Sequence, residues 1–122
     1  MRVFKSKAFS RFARKEGISK QDLLRVVQDT EGDKIHADYG GGLIKQKIAR
    51  QNRGKSSGFR TLLLFKKGHR CFFAYGFAKS EADNIDDVME RDLKDLAKVL
   101  LNLPEEEIDQ LVKSGAYQEV KL

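Results

Sequence analysis

Cysteine, proline and tryptophan are nearly missing from this 122-residue chain, which holds one Cys, one Pro and no Trp. A lone thiol, Cys71, excludes an internal disulfide framework and a cysteine-ligated metal domain. Its aromatic neighbours suit a small core residue in a reducing cytoplasm. No apolar run approaches the roughly 20 residues of a membrane span. The start Met1-Arg2-Val3-Phe4-Lys5 lacks the apolar h-region of roughly 7–15 residues that marks a signal peptide. A cytoplasmic protein with no membrane partner is expected. The sharpest absence is of acid: no Asp or Glu occurs between Asp38 and Glu81.

What fills that gap is base. Lys45, Lys47, Arg50, Arg53, Lys55, Arg60, Lys66, Lys67, Arg70 and Lys79 follow one another with no carboxylate interleaved. Residues 1–80 carry 19 Lys/Arg against 6 Asp/Glu, whereas residues 81–122 carry 5 against 12, so the net charge of +6 hides two opposed halves. Without local acids these cations are not expected to be consumed in surface ion pairs. Their field attracts polyanions, and a phosphate-binding surface is favoured over a merely solvated face. The acids of the last segment are read as solvating its helices.

Apolar spacing orders the chain. Phe9, Phe12 and Ala13 predict a first helix ended by Gly17, and Ser19 caps a second that carries Leu23, Leu24, Val26 and Val27. Residues 32–42, polar and glycine-rich, read as a loop. Leu43 to Ala49 alternates, with Lys45 and Lys47 on one face and Ile44 and Ile48 on the other. Phe59 to Phe65 and Arg70 to Phe77 are nearly continuous in apolar residues, as buried central strands are. Lys66-Lys67-Gly68-His69 joins them as a hairpin loop, and residues 50–58 form a longer basic connection. A helix follows on Ile85, Val88, Met89, Leu93, Leu96, Ala97, Leu100 and Leu101, with Glu90/Lys94 and Arg91/Asp95 pairs outside. Pro104 starts a last short helix with three glutamates in its first turn, closed by Gly115. Residues 117–122 are a strand or a tail. The expected fold is α+β: two N-terminal helices, an antiparallel three- to four-stranded twisted sheet, and C-terminal helices. Helices would cover one sheet face and leave the lysine face open. Residues 1–103 are taken as the domain proper, with 104–122 packed on it as a C-terminal helix and tail.

Enzyme motifs are scarce. Gly40-Gly41-Gly42 is no P-loop, because no Gly-Lys-Ser/Thr follows and a strand comes next. His36 and His69 read as solvated loop histidines, zinc has no ligand set, and no nucleophile elbow is present. The basic cluster itself can act on RNA. Cleavage through the 2′-hydroxyl needs a base, positive charge on the phosphorane, and an acid for the 5′-oxygen. Arginine suits the charge, and a lysine crowded by other cations suits the base, without metal. The same residues also suit plain phosphate binding.

Three pieces in order narrow the choice: Gly42-Leu43-Ile44-Lys45-Gln46-Lys47-Ile48-Ala49, then Gly54-Lys55-Ser56-Ser57-Gly58-Phe59-Arg60-Thr61-Leu62, then Tyr75-Gly76-Phe77-Ala78-Lys79-Ser80-Glu81. They resemble the HigB-like branch of the RelE/ParE toxin superfamily, over roughly residues 3–101 in element order. The resemblance implies a ribosome-dependent mRNA endonuclease without cofactor, held inactive by a cognate antitoxin, often of helix-turn-helix type. Lys45, Lys47 and Arg60 then match catalytic positions, with Arg60 at the scissile phosphate. Arg50, Arg53, Lys55 and Lys79 become RNA-binding residues. The chain departs from RelE where a tyrosine is expected and Asp83-Asn84-Ile85-Asp86 stands. A second RelE arginine falls near Ala82. The His-Tyr end of the YoeB branch is replaced by Glu119-Val120-Lys121-Leu122. Tyr75, alternating with Cys71 and Phe73, reads as core. Two other functions fit the same pattern: a ParE-like gyrase poison and a non-catalytic nucleic-acid-binding module.

Overall fold

The computed structural model describes residues 1–49, 58–79 and 84–121. In chain order the elements are β1 (Arg2–Ser6), α1 (Lys7–Glu16), α2 (Lys20–Glu31), β2 (Ala37–Gly40), β3 (Leu43–Ile48), β4 (Phe59–Lys66), β5 (Arg70–Ala78), α3 (Asp87–Leu100), α4 (Glu105–Lys113) and β6 (Tyr117–Glu119). The α+β class and the flanking helix pairs are as the sequence predicts. No helix among the described residues is long and apolar enough to cross a membrane.

The sheet is larger than expected. The β3–β4–β5 meander is present, but the sheet has six strands in the order β2-β3-β4-β5-β1-β6, and β1 runs parallel to β5. Each added strand is short. β1 falls where Arg2 to Lys5 reads as an extended start, and β6 where residues 117–122 read as a strand or a tail, but neither segment shows that it joins the sheet. β2 is only Ala-Asp-Tyr-Gly, drawn into the sheet by pairing with β3. β1 and β6 find partners distant in sequence, which local periodicity cannot reveal. The β2–β3 turn depends on Gly42, at φ 88°, where an added Cβ would sit 2.6 Å from Leu101 Cδ1.

Both sheet faces are covered, which corrects the expectation of one open face. α1 and α2 bury Phe9, Ala13, Leu23, Val26 and Val27 against Ile44, Ile48, Phe59, Leu63 and Phe73. On the other face Ala97, Leu100, Leu101 and Ile108 pack on Phe4, Leu43, Leu62, Leu64 and Phe72. The continuous apolar runs of β4 and β5 require this, since a strand apolar on both sides needs cover on both. The apolar stripe of α3 is wider than its contact: Val88 and Leu96, expected inside, are 57% and 36% exposed. The Glu90–Lys94 pair forms at 3.0 Å.

The late acids do more than solvate their helices. Arg2 donates through Nε and Nη2 to both Glu119 oxygens, at 3.0 and 2.9 Å, and through Nη1 to Glu105 at 2.6 Å. Arg2 Nη2 also lies 2.9 Å from Asp109. Arg70, paired in register with Arg2, donates to the Leu100 carbonyl at 2.9 Å and to Glu105 at 2.7 Å. Arg70 therefore leaves the group of unpaired cations and becomes part of a clamp that holds α4 and β6 against β1 and β5. Lys67 leaves too, paired with Asp33 at 3.3 Å.

The clamp makes a pH prediction. Hydrogen bonds from Arg70 and Arg2 hold Glu105 below the usual carboxylate range, and those from Arg2 do the same for Glu119. A carboxylate lowered in the folded state stabilises the fold above its unfolded pKa, and that stability is lost as pH falls through the folded value. Glu119→Gln should cost about 1–2 kcal/mol at pH 7, since it removes a charge-assisted fork. The cost should shrink toward pH 3 in thermal melts. An equal cost at both pH values would contradict the clamp.

Candidate functional site

The lysine face is built by register. Lys47 lies directly across from Arg60, Lys45 from Leu62, and Arg60 from Phe77. Strand alternation thus puts Lys45, Lys47 and Arg60 on one sheet face, the one α3 covers in part. α3 lies over the Gly42 end, where Leu101 approaches, and the segment before its N-cap reaches Lys45, whose Nζ donates to Asn84 Oδ1 at 2.8 Å. The face is less open than expected: Lys45 and Arg60 are 4% and 5% exposed, and only Lys47 of the three is exposed. Arg60 Nη1 also donates to the Phe59 carbonyl at 3.3 Å.

A directly opposed Lys47–Arg60 pair is a local conflict. Cross-strand neighbours lie about 4.5–5.5 Å apart at Cβ, and like charges there destabilise a sheet. Among the described residues no carboxylate forms an ion pair with Lys47. An anion placed between the two strands would relieve the repulsion. Phosphate, with several oxygens for an arginine fork and an ammonium, has the matching chemistry.

Two residues that shape this face were not singled out in the sequence. Gln46 lies between the two lysines and points the other way. Its amide donates to Thr30 Oγ1 and the Lys34 carbonyl at 2.9 and 2.8 Å, and its Oε1 accepts the His36 N–H at 3.0 Å. This buried amide pins the register of β3. A slip by one residue would turn both lysines to the opposite face. The signal was available: Ile44-x-Gln46-x-Ile48 puts a polar residue in an inward position. Ser6 is the other. Its Oγ accepts the Phe9 N–H at 3.0 Å as the cap of α1 and donates to the Ala74 carbonyl at 2.8 Å.

That second bond holds a β-bulge. The β4–β5 register shifts between Leu62 and Leu63, whose partners are Tyr75 and Phe73, so Ala74 is extra. The Tyr75 carbonyl accepts from Thr61 Oγ1 at 3.1 Å. The extra residue ends the alternation with Cys71 and Phe73 and turns Tyr75 to the Arg60 face, 38% exposed, with its ring 6.1 Å from Phe77. Tyr75 is therefore not core. Beyond it Gly76 faces α1, where an added Cβ would meet the Phe12 ring at 2.4 Å.

The remaining candidates divide. Lys79 is exposed just past β5, its N–H donating to the Gly58 carbonyl at 3.1 Å. Arg50, Arg53 and Lys55 lie outside the described residues. His36 and His69 are exposed, away from the lysine face in a loop and a hairpin turn. Cys71 is wholly buried, and burial pushes its thiol pKa up, away from nucleophilic chemistry.

Lys45, Lys47 and Arg60 thus give a small α+β domain one cationic sheet face. Residues 1–120 match the family model of the RelE toxin of the RelE/RelB toxin-antitoxin system. The chain belongs to the RelE toxin family and is the toxin member of such a system, whose partner is a cognate antitoxin. A search of curated proteins gives no match.

Ser6→Ala should remove both the helix cap and the bulge bond, costing about 1–2 kcal/mol. Amide exchange at Tyr75 should quicken along with that at the start of α1. Quickening at α1 alone would show that Ser6 does not hold the bulge.

Proposed function

We propose that the protein is a ribosome-dependent mRNA endonuclease of the HigB-like branch, cutting through the 2′-hydroxyl and restrained by an antitoxin of helix-turn-helix type. The observation that carries this is the Lys47–Arg60 pair: two cations held opposite each other on one face, with Lys45 alongside and an exposed tyrosine at the rim. A phosphodiester seated there would meet an arginine fork and two ammonium groups. As the phosphorane gains charge, fixed cations bind it more tightly than the ground state, which lowers the barrier. Tyr75 offers a ring on which a neighbouring base stacks. Lys79, Arg50, Arg53 and Lys55 would hold the flanking phosphates.

The test is brief induction in cells with mapping of RNA 5′ ends, comparing the wild type with Lys47→Ala and Arg60→Ala. The wild type should cut within translated codons, and each variant should lose about 10²–10³-fold in cutting, the usual cost of losing one transition-state donor. Lys47 is exposed, so its variant keeps the fold even where Arg60→Ala does not. Folded variants that cut like the wild type would overturn the assignment. So would intact RNA with DNA-damage signalling, the mark of a gyrase poison, or salt-sensitive RNA binding with no cutting when ribosomes are present.

A further inference from the structure

A lysine is a poorly placed charge unless something holds it. Its ammonium rides on a flexible stem, and the rotamer freedom of that stem is lost whenever the group must sit at one spot. Lys45 has such a holder in the segment before α3. Its Nζ donates to Asn84 Oδ1 at 2.8 Å, across a separation of 39 positions in the chain.

Asn84 is itself fixed by the two residues that follow it. Ile85 is half-buried against the core that holds Leu62, Phe77 and Ala97. Asp86 then caps α3, its carboxylate accepting the Met89 N–H at 2.8 Å. An apolar anchor and a helix cap in succession leave the backbone at Asn84 little room to shift. The side chain is an amide in a run of acids, with Glu81, Asp83, Asp86 and Asp87 around it in the sequence. An amide oxygen accepts the ammonium's hydrogen bond and adds no charge of its own. A carboxylate there would accept the same bond, but it would subtract from the positive charge that Lys45 shares with Lys47 and Arg60.

We propose that Asn84 is a positioning residue of this face, whose amide oxygen sets the Lys45 ammonium in place for an RNA phosphodiester. Asn84 acts on the reaction only through Lys45. The role rests on reading the face as the site of cleavage. Its loss should lower rate more than binding. A loosened lysine still attracts RNA, but it meets the reacting phosphate less often in the productive arrangement.

The test uses the full chain in two arms. In the first, ¹³Cε relaxation of labelled lysine reads the order of the Lys45 side chain without RNA, its signal assigned through bonds to the backbone. Asn84→Ala should loosen Lys45 toward the order of exposed lysines such as Lys47, with the melting temperature unchanged. Asn84→Asp should keep it ordered. In the second arm, single-turnover cleavage of mRNA on programmed ribosomes gives a maximal rate and a half-saturating concentration over a range of salt. Asn84→Ala should lower the maximal rate about tenfold and leave half-saturation within about twofold. Asn84→Asp should instead raise half-saturation and reduce its salt slope by about one. Added to Lys45→Met, Asn84→Ala should cost nothing more. An equally ordered Lys45 in Asn84→Ala overturns the proposal, as does a loss that adds in full to that of Lys45→Met. If Lys45→Met does not fold, the same signature in Asn84→Ala and Asn84→Asp overturns it. Wild type that cuts nothing overturns the nuclease reading instead, and the relaxation arm then decides by itself whether Asn84 holds Lys45.

Discussion

Two basic residues set directly across from each other on adjacent strands are unfavourable neighbours, and the rest of this molecule keeps them there. Lys47 and Arg60 cannot leave their shared face unless β3 or β4 slips by one residue. Apolar cores on both sides of the sheet, together with the buried amide of Gln46, prevent that slip. The repulsion is thereby stored as an affinity for anions. Burial of Arg60 strengthens the effect, because a cation shielded from water acts on a bound phosphate through a less polar medium. The two hydrophobic clusters thus act as the mould in which a charged site is set.

The cations of this chain fall into two populations. Arg2, Arg70 and Lys67 are joined to carboxylates from distant parts of the sequence and hold the fold together. Among the described residues Lys47 and the basic residues of α1 are not. A count along the sequence cannot tell the two apart, since Arg70 and Lys47 stand in the same acid-free stretch. Folding brings the acids of α4 and β6 to Arg2 and Arg70. The acidic C-terminal segment thereby pairs with the cations at the hairpin end of the sheet.

Much of the architecture was legible in the residues. The Ser19 cap, helical spacing and the β3–β4–β5 meander are legible because each is local chemistry acting within a few positions. Alternation in β3 is enough to put Lys45 and Lys47 on one side, whereas the place of Arg60 beside them rests on the β3–β4 register that the structure supplies. Three things were not legible. β2 is a strand only by virtue of its partner, and the extended start at β1 does not reveal its parallel pairing with β5. The cover over the lysine face comes from α3, whose orientation depends on packing. Tyr75 was misread because alternation assumes an unbroken strand, and one inserted residue at Ala74 reverses every inference beyond it.

The fork between Arg2 and Glu119 joins positions 117 apart. During synthesis on a ribosome the first strand emerges early but waits for β5, and its other neighbour is made later still. Until then β1 has an unpaired edge, and Arg2 has no counter-ion at hand. The last part of the sheet can close only once Glu119 has cleared the exit tunnel. A newly made toxin therefore passes through a stage with its hairpin end unlatched and an open strand edge, an interval in which other chains can reach that edge.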